Sequence, residues 1–343
     1  MNSFLEEDLQ VIAKDISKNF YGKTILVTGV TGLIGSLIVK SLLYANKNLE
    51  AKIKILAIAR NKEKVKEVFN EFLDISSFKV YYGDITTSIN IIEEIDYIIH
   101  AASQTASKEL VSHPVESMNT AILGTHNMLQ LAISKKVEGF IYLSSMETFG
   151  VCSNEKNRLK ENDLGYIDLT NVRNCYAESK RLCELMCKCY ADEYNLNTKN
   201  ARLAQVFGAG ILKSENRVFA QFARSAIENK DIILHTDGTS WGNYCYTSDA
   251  IRAIFLILDK GVSGETYTVV NENNSIQIKD MAQLVIDVYE SSHSKVVFDI
   301  PKTNIFGYAP KTVMRLSSSK LNELGWKANI TLREMYRRLY ESL

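Results

Sequence analysis

Short apolar runs alternate with longer amphipathic stretches along most of this chain. Thr24–Thr28, Ile53–Ala59, Phe78–Tyr82, Tyr97–Ile99, Phe140–Leu143 and Thr198–Leu203 are the apolar runs. Each has strand length, and runs that are apolar throughout suit strands buried on both faces. Between them, Leu33–Ala45, Lys62–Phe72, Pro114–Ser134 and Tyr176–Tyr194 repeat apolar residues at helical spacing. Residues 1–20 form a further amphipathic helix, with Phe4, Leu9, Ile12 and Ile16 on one side, and read as a lid or packing extension. Strands alternating with helices predict an α/β fold with a parallel sheet covered on both faces.

Composition narrows the picture. With 343 residues, the chain can bury a substantial core and fill two lobes or one enlarged domain. Forty basic residues balance 40 acidic ones, and no basic arm stands out, which argues against a nucleic-acid partner. The longest apolar runs are too short or too interrupted for a bilayer, and the acidic N-terminus is unlike a secretory signal. A soluble cytoplasmic protein is the expectation. Six cysteines, at 152, 175, 183, 187, 189 and 245, have neither disulfide nor zinc spacing and read as small core residues. No metal is expected.

Thr28-Gly-Val-Thr-Gly-Leu-Ile-Gly35 follows the first strand and opens a helix, the context that gives a glycine run meaning. Gly29 permits the tight turn, Gly32 a close approach to a pyrophosphate, and Gly35 close packing of helix on strand. Phosphate charge would sit at the helix N-terminus. A dinucleotide is thus expected on a Rossmann-type doubly wound sheet. The second strand ends Ala57-Ile-Ala-Arg60, without the acidic residue that holds a ribose 2′-hydroxyl. Arg60 tips the balance toward NADP over NAD, with a solvated arginine the competing reading.

Downstream, Tyr176 and Lys180 stand one helical turn apart in Tyr-Ala-Glu-Ser-Lys. There the ammonium can favour the phenolate, which at its ordinary pKa is a poor base. Leu143-Ser-Ser-Met-Glu-Thr-Phe-Gly150 falls at the end of the fifth strand, where open α/β sheets place ligands. Ser145 can bond a substrate oxygen beside Tyr176. In an extended stretch Glu147 would point the same way and add a third proton-transfer group. A solvated turn residue is the other reading of Glu147.

With these motifs in place, the chain resembles an extended short-chain dehydrogenase/reductase of the nucleotide-sugar epimerase/dehydratase kind. Gly83-Asp84-Ile85, His100-Ala-Ala102, Asn119 and Ser317-Ser-Ser-Lys-Leu-Asn-Glu-Leu-Gly-Trp326 extend the resemblance from Lys23 to Trp326. It implies a cofactor site of Gly29, Gly32, Leu33, Ile34, Gly35, Arg60, Asp84, Ile85, Ala101, Ala102, Tyr176 and Lys180. It implies catalysis by Ser145, Glu147, Tyr176 and Lys180, and substrate contacts from Ser103, Ser145, Gln205, Arg217 and Val218. Its expected organisation is an N-terminal extension (1–20), a dinucleotide domain (21–206 and 244–270) and a smaller, interwoven substrate domain (207–243 and 271–343). A homodimer would pair the helices at 121–133 and 179–190.

The implied reaction modifies a nucleotide-diphosphate sugar through a 4-keto intermediate. Glu147 matches the glutamate of 4,6-dehydratases and nucleotide-sugar decarboxylases, so these lead over a 4-epimerase. Three positions depart from the pattern. Met146 replaces an aspartate of several dehydratases, Gln205 replaces an asparagine, and Gly242 replaces a phosphate-binding arginine, for which Arg217 or Arg315 could compensate. An NADP-dependent carbonyl reductase and a cofactor-binding sensor stay open as alternatives. The polar stretch 154–171 is expected to loop over the cleft.

Overall fold

A computed structural model describes residues 3–152, 157–211, 215–289, 293–301 and 313–340. Seven parallel strands make the central sheet, numbered here along the chain: β1 (Thr24–Thr28), β2 (Lys54–Ala59), β3 (Phe78–Tyr82), β4 (Tyr97–His100), β5 (Gly139–Ser145), β6 (Thr198–Leu203) and β7 (Glu265–Val269). They lie in the order β7-β6-β5-β4-β1-β2-β3. From β1 the chain winds outward through β2 and β3, then crosses back to β4 and winds the other way. The reversal between β1 and β4 leaves a crevice at their C-terminal ends, the switch point where open sheets bind ligands. Thr28 faces His100 there in the parallel register.

The apolar runs became strands because both faces are covered: every residue of β1 and of β4 is buried. β7 lies outside the expected set of strands. Its sequence Glu-Thr-Tyr-Thr-Val is mixed in polarity, and it forms the outer edge, paired only with β6. The first crossover helix runs Leu33–Leu49, a turn beyond its expected end. It stops only where Glu50 turns left-handed (φ 52°) and donates its N–H to the Ala45 carbonyl. Asn61 caps Lys62–Phe69 by accepting the Lys64 N–H at 3.0 Å, and Pro114 opens Pro114–Lys135.

Two cores lie on the faces of the sheet, and a third fills a smaller lobe built from helices Val218–Ile227, Ile278–Val288 and Leu332–Tyr340. Phe207 and Phe219 stack there at 4.3 Å, and the rings of Tyr244 and Tyr336 join them. Cys183 and Cys187 are buried core thiols, as their spacing suggested, while Cys189 is exposed.

The N-terminal helix, Ser3–Asp15, packs on Leu33–Leu49 and on Thr247–Lys260. It also reaches the smaller lobe. Arg338 pairs with Glu7 at 2.8 Å and Asp8 at 3.2 Å, and the Tyr246 hydroxyl donates to Asp8 at 2.7 Å. The helix therefore holds both lobes. Among the described residues, no helix is long and apolar enough to cross a membrane.

The stretch expected to loop over the cleft lies outside the described residues at 154–156. Its remainder is stitched down: Leu159 bridges Leu316, and Arg158 pairs with Glu272 at 3.0 Å.

Candidate active site

Steric necessity shapes the dinucleotide side of the crevice. Gly29 has φ +69°, and a Cβ there would lie 2.7 Å from the Ala101 and Ala102 backbone. A Cβ on Gly35 would lie 2.3 Å from the Gly29 carbonyl oxygen. Both positions exclude any side chain, one by strain and close approach, the other by packing. Gly32 is different: an added Cβ meets only Gly29 O, at 3.4 Å, so its outward side is open. No side chain caps the helix that begins after it, which leaves N–H groups free for an anion.

Beneath the glycines, the Thr28 hydroxyl accepts the N–H groups of Ala101 (3.1 Å) and Ala102 (3.0 Å). Its own hydrogen is then free for His100 Nδ1 at 2.8 Å, leaving Nε2–H to donate to Thr125 at 3.2 Å. Burial, with the Lys180 charge nearby, pushes the imidazole down to about 3, so it is neutral and fits this tautomer. Here His100 fastens the end of β4 under the glycine turn.

The other predicted cofactor residues spread around this crevice. Leu33 and Ile34 are half-buried at the helix start, and Leu33 touches both the sheet core and the smaller lobe's core. Arg60 lies 3.6 Å from Asp84, both well exposed. Burial works against the Asp84 carboxylate, but Thr86 and Arg60 hold it below its ordinary value. Ile85 turns its side chain into the core, against Gly124. Ser103 is half-buried just past Ala102.

The expected catalytic residues Ser145, Glu147 and Tyr176 come together where β5 ends. Ser144 and Ser145 point oppositely, as strand neighbours do. Ser144 donates inward to Glu184 at 2.5 Å, and Arg202 grips the same carboxylate at 2.6 Å in a buried pair. Ser145 points outward on the side of the Tyr176 phenol, and its hydroxyl favours the ionised form of that phenol. Glu147 is not in extended chain. Met146–Phe149 forms a 3-10 turn, and Ser145 caps it by accepting the Glu147 N–H at 3.2 Å. The turn still brings Glu147 to Tyr176, whose proton its charge helps to retain.

Lys180 lies one turn further along the same helix, its ammonium 5.8 Å from the centre of the Tyr176 ring. Its ammonium donates to the Leu143 carbonyl at 2.7 Å and lies 4.6 Å over the Tyr142 ring. Burial lowers it to about 8. Tyr176 is pushed up to about 12, first by burial and then by Glu147, while Ser145, Arg173 and Arg217 pull the other way. Two of the cations that favour the phenolate are thus arginines that periodicity did not single out for this task. Arg173 grips Glu147 with both nitrogens, at 3.0 and 3.1 Å. A signal existed: Arg173 precedes Tyr176 by three residues, one turn back along the same face.

On the smaller lobe's side, Gln205 begins a short strand in register with Tyr244, and its side-chain Oε1 is buried without a hydrogen-bond partner among the described residues. Arg217 pairs with Glu215 at 2.6 Å and stacks on Phe219. Val218 starts the helix behind it. Gly242 leaves no space for an arginine, since the Tyr244 hydroxyl lies 2.4 Å from where its Cβ would be. Arg315 stacks on Trp241 and donates to Asn157 at 2.5 Å.

A Rossmann-type sheet with a glycine turn at its switch point, and a Ser–Tyr–Lys group at the adjoining strand end, defines a dinucleotide-dependent enzyme architecture. Residues 25–271 match the model of the NAD dependent epimerase/dehydratase family, and the chain belongs to that family. It is 26% identical over 336 residues to the dTDP-D-glucose 4,6-dehydratase of Mus musculus, covering 94% of this chain and 88% of that protein. It is 25% identical over 312 residues to UDP-glucuronic acid decarboxylase 6 of Arabidopsis thaliana, covering 90% and 85%. Its fold matches the Bacillus anthracis dTDP-glucose 4,6-dehydratase in complex with NAD, with TM-score 0.73 and 20% identity over 92% of this chain and 94% of that one.

Proposed function

We propose that this protein modifies a nucleotide-diphosphate sugar through a 4-keto intermediate, by a 4,6-dehydratase- or decarboxylase-type reaction. The observation that carries the reading is Glu147 beside Tyr176 and Ser145, a third proton-transfer group at one end of β5. When bound, the nicotinamide supplies a reversible hydride acceptor and donor. Tyr176 receives the proton of the sugar hydroxyl as its carbon is oxidised, and Ser145 orients that oxygen. The ketone acidifies the neighbouring C–H, and Glu147 accepts that proton. Lys180, anchored on Leu143, fixes the helix that carries Tyr176 and holds the nicotinamide ribose.

Gly29, Gly32, Leu33, Ile34, Gly35, Asp84, Ile85, Ala101 and Ala102 hold the dinucleotide in this proposal, and Ser103, Gln205, Arg217 and Val218 meet the substrate. We take the dinucleotide to be NAD. Arg60 is engaged by Asp84 at 3.6 Å, and that carboxylate would repel a 2′-phosphate. The dinucleotide domain is 21–206 with 244–270, and the substrate domain is 207–243 with 271–343. The chain works in the cytoplasm as a homodimer. Exposed Met118, Leu123, Leu182 and Leu185 on helices Pro114–Lys135 and Cys175–Tyr194 support that pairing.

Incubation with a panel of nucleotide-diphosphate sugars should yield a keto-sugar or a pentose, with no net consumption of dinucleotide. Product inverted only at C4 would make it an epimerase. Stoichiometric consumption of NADPH would make it a reductase.

A further inference from the structure

Glu147 and Tyr176 come from different elements, and one side chain ties them together. Arg173 sits in a 3-10 turn, Val172–Asn174, that runs directly into the helix bearing Tyr176. The turn is itself secured: Asn171 accepts the Arg173 N–H at 3.1 Å, and Asn174 donates to the Asp168 carbonyl at 2.8 Å. From this mount the guanidinium reaches across to the turn after β5. It takes both Glu147 oxygens, while its carbon lies 5.8 Å from the centre of the Tyr176 ring.

We propose that Arg173 is a positioning residue of this centre: it aims the Glu147 carboxylate and cancels its charge beside the Tyr176 phenol. This rests on the function proposed above, in which both groups move protons. A bidentate fork fixes the plane of a carboxylate as well as its distance, which a lone ammonium cannot do. Side chains of Glu147 and Arg173 are 38% and 28% exposed, so the pair lies at the lip of the cleft. It is neither shielded in the core nor free in solvent.

The groups facing Tyr176 set the electrostatic balance. Ser145 and Glu147 approach from the β5 end, Arg173 from the preceding turn, and Arg217 from the smaller lobe. Tyr142 lies beneath, and Lys180 lies on the same helix, 5.8 Å from the ring centre. Glu147 is the one carboxylate acting on the phenol among these, and it favours the protonated form. Arg173 is its direct counter-ion. Removing Arg173 leaves that negative charge unbalanced at the reaction centre, and the phenol then holds its proton more tightly.

The test is to replace Tyr176 with a fluorinated tyrosine that ionises near neutral pH and follow its titration by fluorine NMR. Arg173→Gln should raise the midpoint by about half a pH unit or more. Adding Glu147→Gln should return it close to the parent value. Arg173→Lys keeps the charge, so its midpoint should stay near the parent while turnover falls through loss of the fork. An unchanged midpoint in Arg173→Gln would overturn the proposal, as would failure of Glu147→Gln to reverse the shift. Arg173→Lys also serves as the folding control, since it preserves the charge and most of the stem. The titration uses no substrate, so it stays readable even when the nucleotide-sugar panel gives no product.

Discussion

On the dinucleotide side of the crevice, Gly29, Gly35 and Ala101 press backbone against backbone at distances no side chain could enter. On the opposite lip, Glu147 with Arg173 and Glu215 with Arg217 hold one another by charge. The first arrangement is rigid and tolerates nothing larger than hydrogen. The second is adjustable, because partly exposed ion pairs can exchange partners at small cost. One side can therefore serve an invariant ligand, a dinucleotide, while the other adapts to the sugar and its phosphates. Tyr176 stands where the two meet.

Tyr176→Phe tests that meeting point, with the largest expected effect. Turnover should fall on the order of a thousandfold, while bound dinucleotide, measured by absorbance after heat release, stays near the parent level. Loss of dinucleotide as well would place the phenol in binding and not at the boundary. Gly29→Ala comes next. Strain at positive φ together with overpacking should cost about 2–4 kcal/mol, read as a lowered thermal midpoint with no dinucleotide retained. A variant that melts and binds like the parent would end the idea of a steric side.

Asp8→Asn asks whether charge also governs the junction of the lobes. Burial pushes Asp8 up to about 6 from 3.8, against the pull of Tyr246 and Arg338. The folded protein thus binds this proton more tightly than the unfolded chain does. Its contribution to stability is full below the unfolded value and is lost as pH rises through about 6. Melts of the parent should therefore fall relative to Asp8→Asn across that window, by up to about 3 kcal/mol. Parallel curves would mean that Asp8 does not titrate there. Arg60→Ala is the smallest change. Losing an exposed pair with Asp84 should cost under about 0.5 kcal/mol, yet competition between NAD and NADP should report what Arg60 does at the adenosine end. Equal preference before and after would leave it a surface charge.

The features visible in the primary structure are those whose partners lie within a few residues. The glycine run needs only its own turn, and Tyr176 with Lys180 needs only one helical turn. Ser145 needed a strand end, which the apolar run supplied. The missing parts are contacts at long range. Arg173 and Glu147 are 26 residues apart, Thr28 and His100 are 72 apart, and Asp8 and Arg338 are 330 apart. Lys180 shows the limit from the other direction. Helical spacing correctly set it one turn from Tyr176, but only the packed β5 end supplied the Leu143 carbonyl that takes its ammonium.

Local chemistry alone thus determined the alternating α/β order, the dinucleotide turn and the Ser–Tyr–Lys trio, because periodicity and backbone strain act over one or two turns of chain. Tertiary structure decided which charges share the cleft and which hydrogen bonds they spend elsewhere. Coulombic and hydrogen-bonding partners are chosen by distance in space, and the sheet order β4-β1, reversed from the order along the chain, is what brings those residues together.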